Sequence, residues 1–193
     1  MNSFSPRQEL AELTRSRIIM GAAHLIEAGE PLMFRDLSRI SGIPERTIYR
    51  HFPHKDAVLD AFWIWLNRDI AVPDSPEGPG EIPDYARALF AAFDRRSSLV
   101  RAMIASPSGQ KLRDARAVER RAKFERALRP LTERLPERDG HALQAGIEAI
   151  CSASGWNSLV GTMGASAADV AIWALEAMLD RARRQIDLNR EDS

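Results

Sequence analysis

The sequence contains very little cysteine and no long β-type runs. Cys151 is the single cysteine among 193 residues, which excludes an internal disulfide framework and suggests a reducing compartment. Runs rich in Val, Ile, Thr and Tyr are missing, whereas Leu, Ile, Ala and Met dominate the apolar residues. Because 45% of the residues are hydrophobic, the chain can build a core. We therefore expect an all-α protein of one or two small domains.

Membrane and export signals are also missing. No apolar run approaches the ~18 residues that a membrane span needs, and the run "AFWIWL" at 61–66 is far shorter. The N-terminal "MNSFSPRQEL" lacks the charged-then-apolar order of a signal peptide. These observations predict a cytoplasmic protein with no membrane partner.

The chain has no excess of charge of either sign, since 27 Lys and Arg balance 27 Asp and Glu. This balance excludes a generally basic coat for nucleic acid. The distribution is more informative, because the segment 35–55 contains five cations and only two anions. Any contact with a polyanion must be concentrated there.

A second cationic run at 111–129 is typical of a solvated face with Glu–Arg pairs, with contact to DNA phosphate or an acidic effector as the alternative.

The motifs of an enzyme are absent. We find no Ser/His/Asp order, paired carboxylates, Gly-rich phosphate loop or metal-ligand spacing. His51 and His54 are close in sequence, but Phe52-Pro53 interrupts the helix between them. Cys151 lies in a segment of small residues, so buried packing is favoured over a redox-sensing thiol. We predict no enzymatic activity, no metal and no cofactor.

Apolar periodicity predicts four helices in the N-terminal part. The first spans "RQELAELTRSRIIMGAAHLIEAG", the second is "FRDLSRIS", the third runs from Pro44 to about His51, and the fourth begins near Lys55. The segment "VPDSPEGPGEIPD" at 72–84 follows, with Pro and Gly typical of a linker. We expect an N-terminal domain at 1–71, a linker at 72–84 and a second domain at 85–193.

The second domain is also predicted to be helical. Its expected helices lie at 82–105, 109–135 with an interruption or kink near Pro130, 138–163 and 166–187.

The second and third helices are joined at Gly42-Ile43, which predicts a helix-turn-helix. Ile48 and Phe52 are four residues apart and would both point inward. The opposite face of the third helix then presents Glu45, Arg46, Tyr49 and Arg50.

Residues on this outer face suit a DNA major groove. Arg46 and Arg50 can each reach guanine O6 and N7, and Thr47 can touch a thymine methyl or a phosphate. The hydroxyl of Tyr49 can bind a phosphate, as can Lys55 at the start of the next helix.

The stretch "FRDLSRISGIPERTIYRHFPHKDAVLDAF" resembles the DNA-binding signature of the TetR family of bacterial transcriptional regulators. The resemblance covers residues 15–66, and it extends more loosely over the helical remainder. Its strongest elements, at their mutual spacing, are Asp36-Leu37, Gly42-Ile43, Thr47-Ile48-Tyr49, Phe52 and Lys55. Where the family often has a Thr that caps the second helix and reaches phosphate, this chain has Met33-Phe34.

The resemblance also implies roles for individual residues. It implies a base contact for Arg35, phosphate contacts for Tyr49 and Lys55, and a place in the groove-facing set for His51. Glu45 can accept from a cytosine amine or favour the helix start. The DNA-binding set is therefore Arg35, Glu45, Arg46, Thr47, Tyr49, Arg50, His51 and Lys55.

The C-terminal region is expected to hold a dimer and a ligand. The segment "HALQAGIEAICSASGWNSLVGTMG" is rich in small residues, which suits close helix packing, and "AADVAIWALEAMLDRARRQI" follows it. By the resemblance these two segments form a four-helix bundle with the partner's copy. An apolar ligand cavity is expected to be lined by Phe93, Met103, Phe124, Leu128, Ile147, Trp156 and Asn157, with Ser154 and His141 as further polar candidates.

Together these expectations predict a ligand-responsive transcriptional regulator, and a repressor is favoured over an activator. It would bind a palindromic double-stranded operator as a homodimer and be released by a small, mostly apolar effector. The alternative is a helical adaptor that binds protein and has no sequence-specific contact with DNA.

Overall fold

A computed structural model describes residues 5–191, and within this range the fold is built from α-helices and two 3₁₀ turns, without a strand. The all-α prediction is confirmed. In chain order the α-helices are α1 (Pro6–Glu27), α2 (Phe34–Ser41), α3 (Glu45–His51), α4 (Lys55–Asp69), α5 (Ile82–Asp94), α6 (Ser97–Ala105), α7 (Pro107–Ala115), α8 (Ala117–Thr132), α9 (Glu137–Ile150), α10 (Ala153–Met163) and α11 (Ala167–Glu191). The 3₁₀ turns are Pro79–Glu81 and Gly164–Ser166.

The ends of the first helices follow from local chemistry. Ser5 begins α1 through a capping box with Gln8, and Pro6 occupies the first turn, where its missing N–H costs nothing. Beyond the other end of α1, Gly29 has φ +71°. The residue that ends α2 is Gly42, with φ +67°. Left-handed backbone of this kind is strained for residues that carry a Cβ, so glycine determines both chain reversals.

The helices form two compact units. The first contains the described residues up to Ile70 together with Ser98–Asp114, and the second contains Ala71–Ser97 together with the chain from Ala115 onward. The sequence placed a linker at 72–84, but it gave no sign that Ser98–Asp114 belongs with the N-terminal helices.

In the first unit, α1 packs on α2 at a close approach. A Cβ added to Gly21 would lie 3.5 Å from the Cβ of Ser41 and 3.6 Å from Leu37. Ile18, Leu25 and Leu37 are fully buried in the same unit. Two polar contacts join Ser98–Asp114 to the N-terminal helices of this unit. Ser98 Oγ donates to Glu27 Oε1, and Lys111 Nζ lies 2.7 Å from Asp56 Oδ1.

The second unit has a continuous apolar core contributed by α5, α8, α9 and α11. Its buried members include Leu89, Phe124, Leu128, Ile147 and Leu175. The helix α10 is different, because Trp156 is its one buried residue.

Three of the long helices predicted from the sequence are divided, and in this respect the prediction was wrong. The segment 82–105 forms α5 and α6, 109–135 forms α7 and α8, and 138–163 forms α9 and α10. The last of these divisions coincides with a serine cap, in which Ser152 Oγ accepts from Gly155 N at 2.9 Å at the start of α10. This cap satisfies an amide group that a continuous helix would bond internally. Another serine cap lies where the sequence had already placed a break between helices: Ser106 Oγ accepts from Gly109 N at 3.0 Å before Pro107 begins α7.

Pro130 does not terminate α8, which continues to Thr132. The division lies instead at Arg116, between α7 and α8. Because proline has no N–H, α8 forms one backbone hydrogen bond fewer near its C-terminal end, and the helix tolerates this loss.

Among the described residues, the stretch Ala153–Arg190, which comprises α10, a 3₁₀ turn and most of α11, is long and apolar enough by length and composition to cross a membrane. The sequence had predicted none. In its most apolar 18 residues 22% are buried inside the protein. The same stretch contributes Leu175, Leu179 and Ile186 to the core of the second unit, so its apolar side chains are divided between core and surface.

Candidate nucleic-acid interface

The helix α3 is anchored from one side. Ile48 and Phe52 are 0% and 1% exposed, so both side chains are fully within the first unit. Arg46, Tyr49 and Arg50 are exposed on α3, and 55% of Tyr49 is accessible to solvent. The outward face that the sequence predicted for this helix is confirmed. We call α2, α3 and the turn between them, residues 34–51, the α2–α3 corner.

The turn of the α2–α3 corner is fixed by a serine and a glycine. Ser41 Oγ donates to the Leu37 carbonyl at 2.6 Å and accepts from Ile43 N at 3.2 Å. Gly42 supplies the left-handed backbone between them. Because Ser41 is only 8% exposed, these hydrogen bonds form away from competing water and define the angle between α2 and α3.

Two arginines of α1 bind the C-terminal ends of both helices in the corner. Arg17 Nη2 donates to the Ser41 carbonyl at 2.7 Å, at the end of α2. Arg15 Nη1 donates to the His51 carbonyl at 3.1 Å, at the end of α3, and its guanidinium lies 4.4 Å from the Phe52 ring centre. Cations at helix C-termini satisfy carbonyls that have no partner within the helix. The sequence gives no local signal for these residues, because their partners are at least 24 positions away.

Tyr49 and Lys55, the predicted phosphate ligands, contact two neighbouring residues at the start of α2. The Tyr49 ring lies edge-on to Phe34, with centroids 4.5 Å apart and planes at 66°. Lys55 Nζ lies 2.9 Å from Met33 Sδ. Lys55 is also the first residue of α4, where free backbone amides attract anions.

The remaining predicted contacts lie on or beside the same corner. Arg35 is 81% exposed, with Asp36 at 3.7 Å. Glu45 is exposed in the first turn of α3, and Thr47 next to Arg46 is half-buried.

The two histidines have different structural roles. His54 Nδ1 accepts from Ala57 N at 3.2 Å and so caps α4. Burial lowers the pKa of His51, Arg50 and Arg15 lower it further, and Glu12 opposes them. His51 is therefore a neutral imidazole at neutral pH. No group of three or more His, Cys, Asp or Glu side chains in the described residues could hold a metal ion.

Most of the predicted ligand residues are packed in the second unit. Phe124, Leu128 and Ile147 belong to its buried core. Trp156 is also buried; its Nε1 donates to Asp94 at 2.9 Å and its ring lies 5.7 Å from Phe93.

The other two predicted ligand residues differ in position. Asn157 is half-buried next to Trp156 in α10. Met103 is buried in the first unit, whereas the other six predicted ligand residues belong to the second unit.

A groove of about 540 Å³ lies between α8 and α9. None of the seven predicted ligand residues lines it, whereas the polar candidate His141 does. Its other polar lining residues include Arg121, Glu125, Glu137, Gln144 and Glu148. This groove is open and carries charged side chains, so it differs from the apolar cavity expected from the sequence.

Two titratable groups of the second unit, the buried Cys151 and the half-buried Tyr85, have shifted pKa values. Burial raises the pKa of the Cys151 thiol to about 12. Burial also raises the pKa of Tyr85 to about 12, with a further contribution from Cys151 and an opposing one from Arg120. Both groups are therefore neutral at physiological pH.

Comparison of the chain with protein-family models, with curated proteins and with solved structures found no match.

We expect Arg17→Met and Arg15→Met each to destabilise the protein by about 1 kcal/mol, because each removes a charged hydrogen bond from a helix-terminal carbonyl and keeps the apolar stem. Urea unfolding followed by circular dichroism measures the change. Arg7→Met, an exposed arginine of the same helix, is the control and should change stability by less than about 0.5 kcal/mol. Equal effects for all three variants would contradict the capping role.

Cys151 should not react with a thiol reagent in the folded protein. The thiol is 2% exposed, and burial disfavours the thiolate that would attack. Labelling with Ellman's reagent at neutral pH should be negligible in buffer and complete in concentrated urea. Rapid labelling of the native protein would support a redox-sensing thiol instead.

Proposed function

We propose that this chain is a DNA-binding transcriptional regulator that inserts α3 into the major groove. The observation that carries the proposal is the division of α3 between a fully buried side, Ile48 and Phe52, and an exposed side with Arg46, Tyr49 and Arg50. A groove-reading helix needs this division, because long donors must face the bases while the opposite face is held rigid. The resemblance of residues 15–66 to the TetR family supports the same function.

The local charge supports contact with phosphate. Arg35, Arg46, Arg50 and Lys55 are all exposed around the α2–α3 corner. Asp56, the nearest acidic neighbour of Lys55 in sequence, is bound by Lys111 at 2.7 Å, and this hydrogen bond lowers its pKa. Its charge is thus compensated within the same unit.

A homodimer is part of the proposal. A single helix reads too few base pairs for useful specificity, whereas a two-fold dimer reads both halves of a palindrome. The surface of α10 and α11 is suited to self-association. Trp173 is 72% exposed and Met163 is 44% exposed, and large exposed apolar residues of this kind mark interaction sites.

We also propose that a small, mostly apolar effector binds the second unit and weakens DNA binding. A repressor is the favoured kind of regulator. The coupling expected for such a regulator is about 1–3 kcal/mol. Because Phe124, Leu128 and Ile147 are packed in the core, such an effector must stabilise a conformation in which these residues separate. An adaptor that binds only protein is the competing function.

Variants of the interface should fall into two classes. Tyr49→Phe and Lys55→Ala should weaken binding to all duplexes. Log affinity falls with log salt, and Lys55→Ala should reduce the steepness of this fall by about one. Arg46→Ala and Arg50→Ala should cost about 1–3 kcal/mol, chiefly at one base pair each. Selection from genomic fragments would identify the operator, and fluorescence anisotropy across a salt series would measure affinities.

The outcomes of this experiment are distinct. Enrichment of a palindrome by the wild-type protein supports the regulator. Equal losses on every sequence for all four variants would remove the base-reading assignment. Absence of any enriched fragment would favour the adaptor.

The dimer is tested at Trp173. Trp173→Ser should raise the dimer dissociation constant by roughly 30-fold, since truncation of a buried interface aromatic typically costs about 2 kcal/mol or more. Analytical ultracentrifugation measures the change. Val118→Ser is the matched control, because Val118 is 81% exposed on α8 in the same unit. A monomeric wild-type protein, or equal behaviour of the two variants, would exclude this surface.

A further inference from the structure

The dipeptide Met33-Phe34 lies at the start of α2 and contacts both of the proposed phosphate ligands. Met33 is the residue before the helix, with extended backbone, and its carbonyl accepts from Asp36 N at 3.0 Å and Leu37 N at 2.9 Å. The backbone of the dipeptide is therefore fixed by the first turn of α2. Its two side chains reach different elements: Phe34 contacts α3 and Met33 contacts α4.

Phe34 supports the ring of Tyr49. Phe34 is 6% exposed, so its ring is held in the interior, while Tyr49 is 55% exposed. The centroids are 4.5 Å apart and the planes meet at 66°, an edge-to-face geometry that aromatic pairs favour. A tyrosine on the surface would otherwise exchange among several rotamers. The contact selects one direction for its hydroxyl.

Met33 supports the ammonium of Lys55. The thioether sulfur lies 2.9 Å from Lys55 Nζ, and a thioether is a weak acceptor. An ammonium has three donors, so the sulfur uses one and leaves two for an anion. Because the contact is weak, it can orient the side chain without competing with a phosphate.

We propose that Met33 and Phe34 are positioning residues for phosphate binding: from one short segment they set the spacing between the Tyr49 hydroxyl and the Lys55 ammonium. This inference rests on the proposed DNA-binding function. Neither side chain offers a hydrogen-bond donor, so the effect of these side chains on DNA binding must pass through Tyr49 and Lys55.

A double-mutant cycle tests Phe34. We expect Phe34→Leu to weaken binding to a labelled duplex of mixed sequence by about 2- to 10-fold, the value of an aromatic pair beyond its burial. In the Tyr49→Phe background the same change should have almost no effect, because no hydroxyl remains to be oriented. Leu32→Val is the control, since Leu32 is a buried neighbour at 4% exposure. Its effect on DNA affinity should be the same in both backgrounds.

A second cycle tests Met33 and does not depend on the buried ring. Met33→Leu keeps the side-chain volume, and Met33 is 42% exposed, so the fold should tolerate the change. We expect a loss of affinity on the order of 2- to 3-fold with a smaller salt slope, and no further loss in the Lys55→Ala background. If Phe34→Leu fails to fold, as unfolding curves would reveal, this second cycle decides the proposal.

The failure of this inference differs from the failure of the proposed function. If the wild-type protein binds DNA and the losses of affinity are additive in every cycle whose variants fold, the positioning role is overturned and DNA binding is left intact. A wild-type protein that binds no duplex at any salt concentration would overturn both. The inference is supported if Phe34→Leu loses its effect on affinity in the Tyr49→Phe background and Met33→Leu loses its effect in the Lys55→Ala background.

Discussion

The burial of Ile48 and Phe52 is the interaction on which the whole candidate interface depends. The helix α3 has seven residues, far fewer than an isolated helix needs to be stable in water. Its conformation must therefore come from tertiary contacts. The two buried side chains hold it from below, Arg15 binds its last carbonyl, and the hydrogen bonds of Ser41 fix the turn before it. If these contacts were lost, the exposed arginines would remain on the surface but would have no common geometry.

Electrostatics acts on this corner through local pairing, since the chain has no net charge. Two acidic groups at or near the corner are compensated: Asp36 lies near Arg35 and Arg39, and Asp56 binds Lys111. Arg15 and Arg17 are directed to helix carbonyls, where their charge serves the fold. Arg46, Arg50 and Lys55 remain exposed. A neutral protein can therefore present a focused cationic surface, whose attraction to a polyanion is screened beyond about 10 Å at moderate salt.

The sequence predicted the corner well because its signals are local. Gly42 at the turn, Pro44 before α3 and the four-residue spacing of Ile48 and Phe52 each act within one helical turn, and the bounds of α2 and α3 follow from them. The arginine caps were missed because they join residues distant in sequence. In the second unit, unbroken apolar periodicity concealed the helix start at Ser152. The apolar cavity was also inferred from composition, yet aromatics such as Phe124 serve equally well as packed core.

The helix α10 connects the composition of the C-terminal region with its proposed assembly. It contains Leu159, Val160 and Met163, but Trp156 is its one buried residue. Eleven residues are too few to be helical by propensity alone, and two of them, Gly155 and Gly161, lower that propensity further. Gly161 has open space beside its α-carbon, which would let a second backbone approach closely. A partner copy would bury the apolar side chains and stabilise the helix. The same association would supply the second α3 that a palindrome requires.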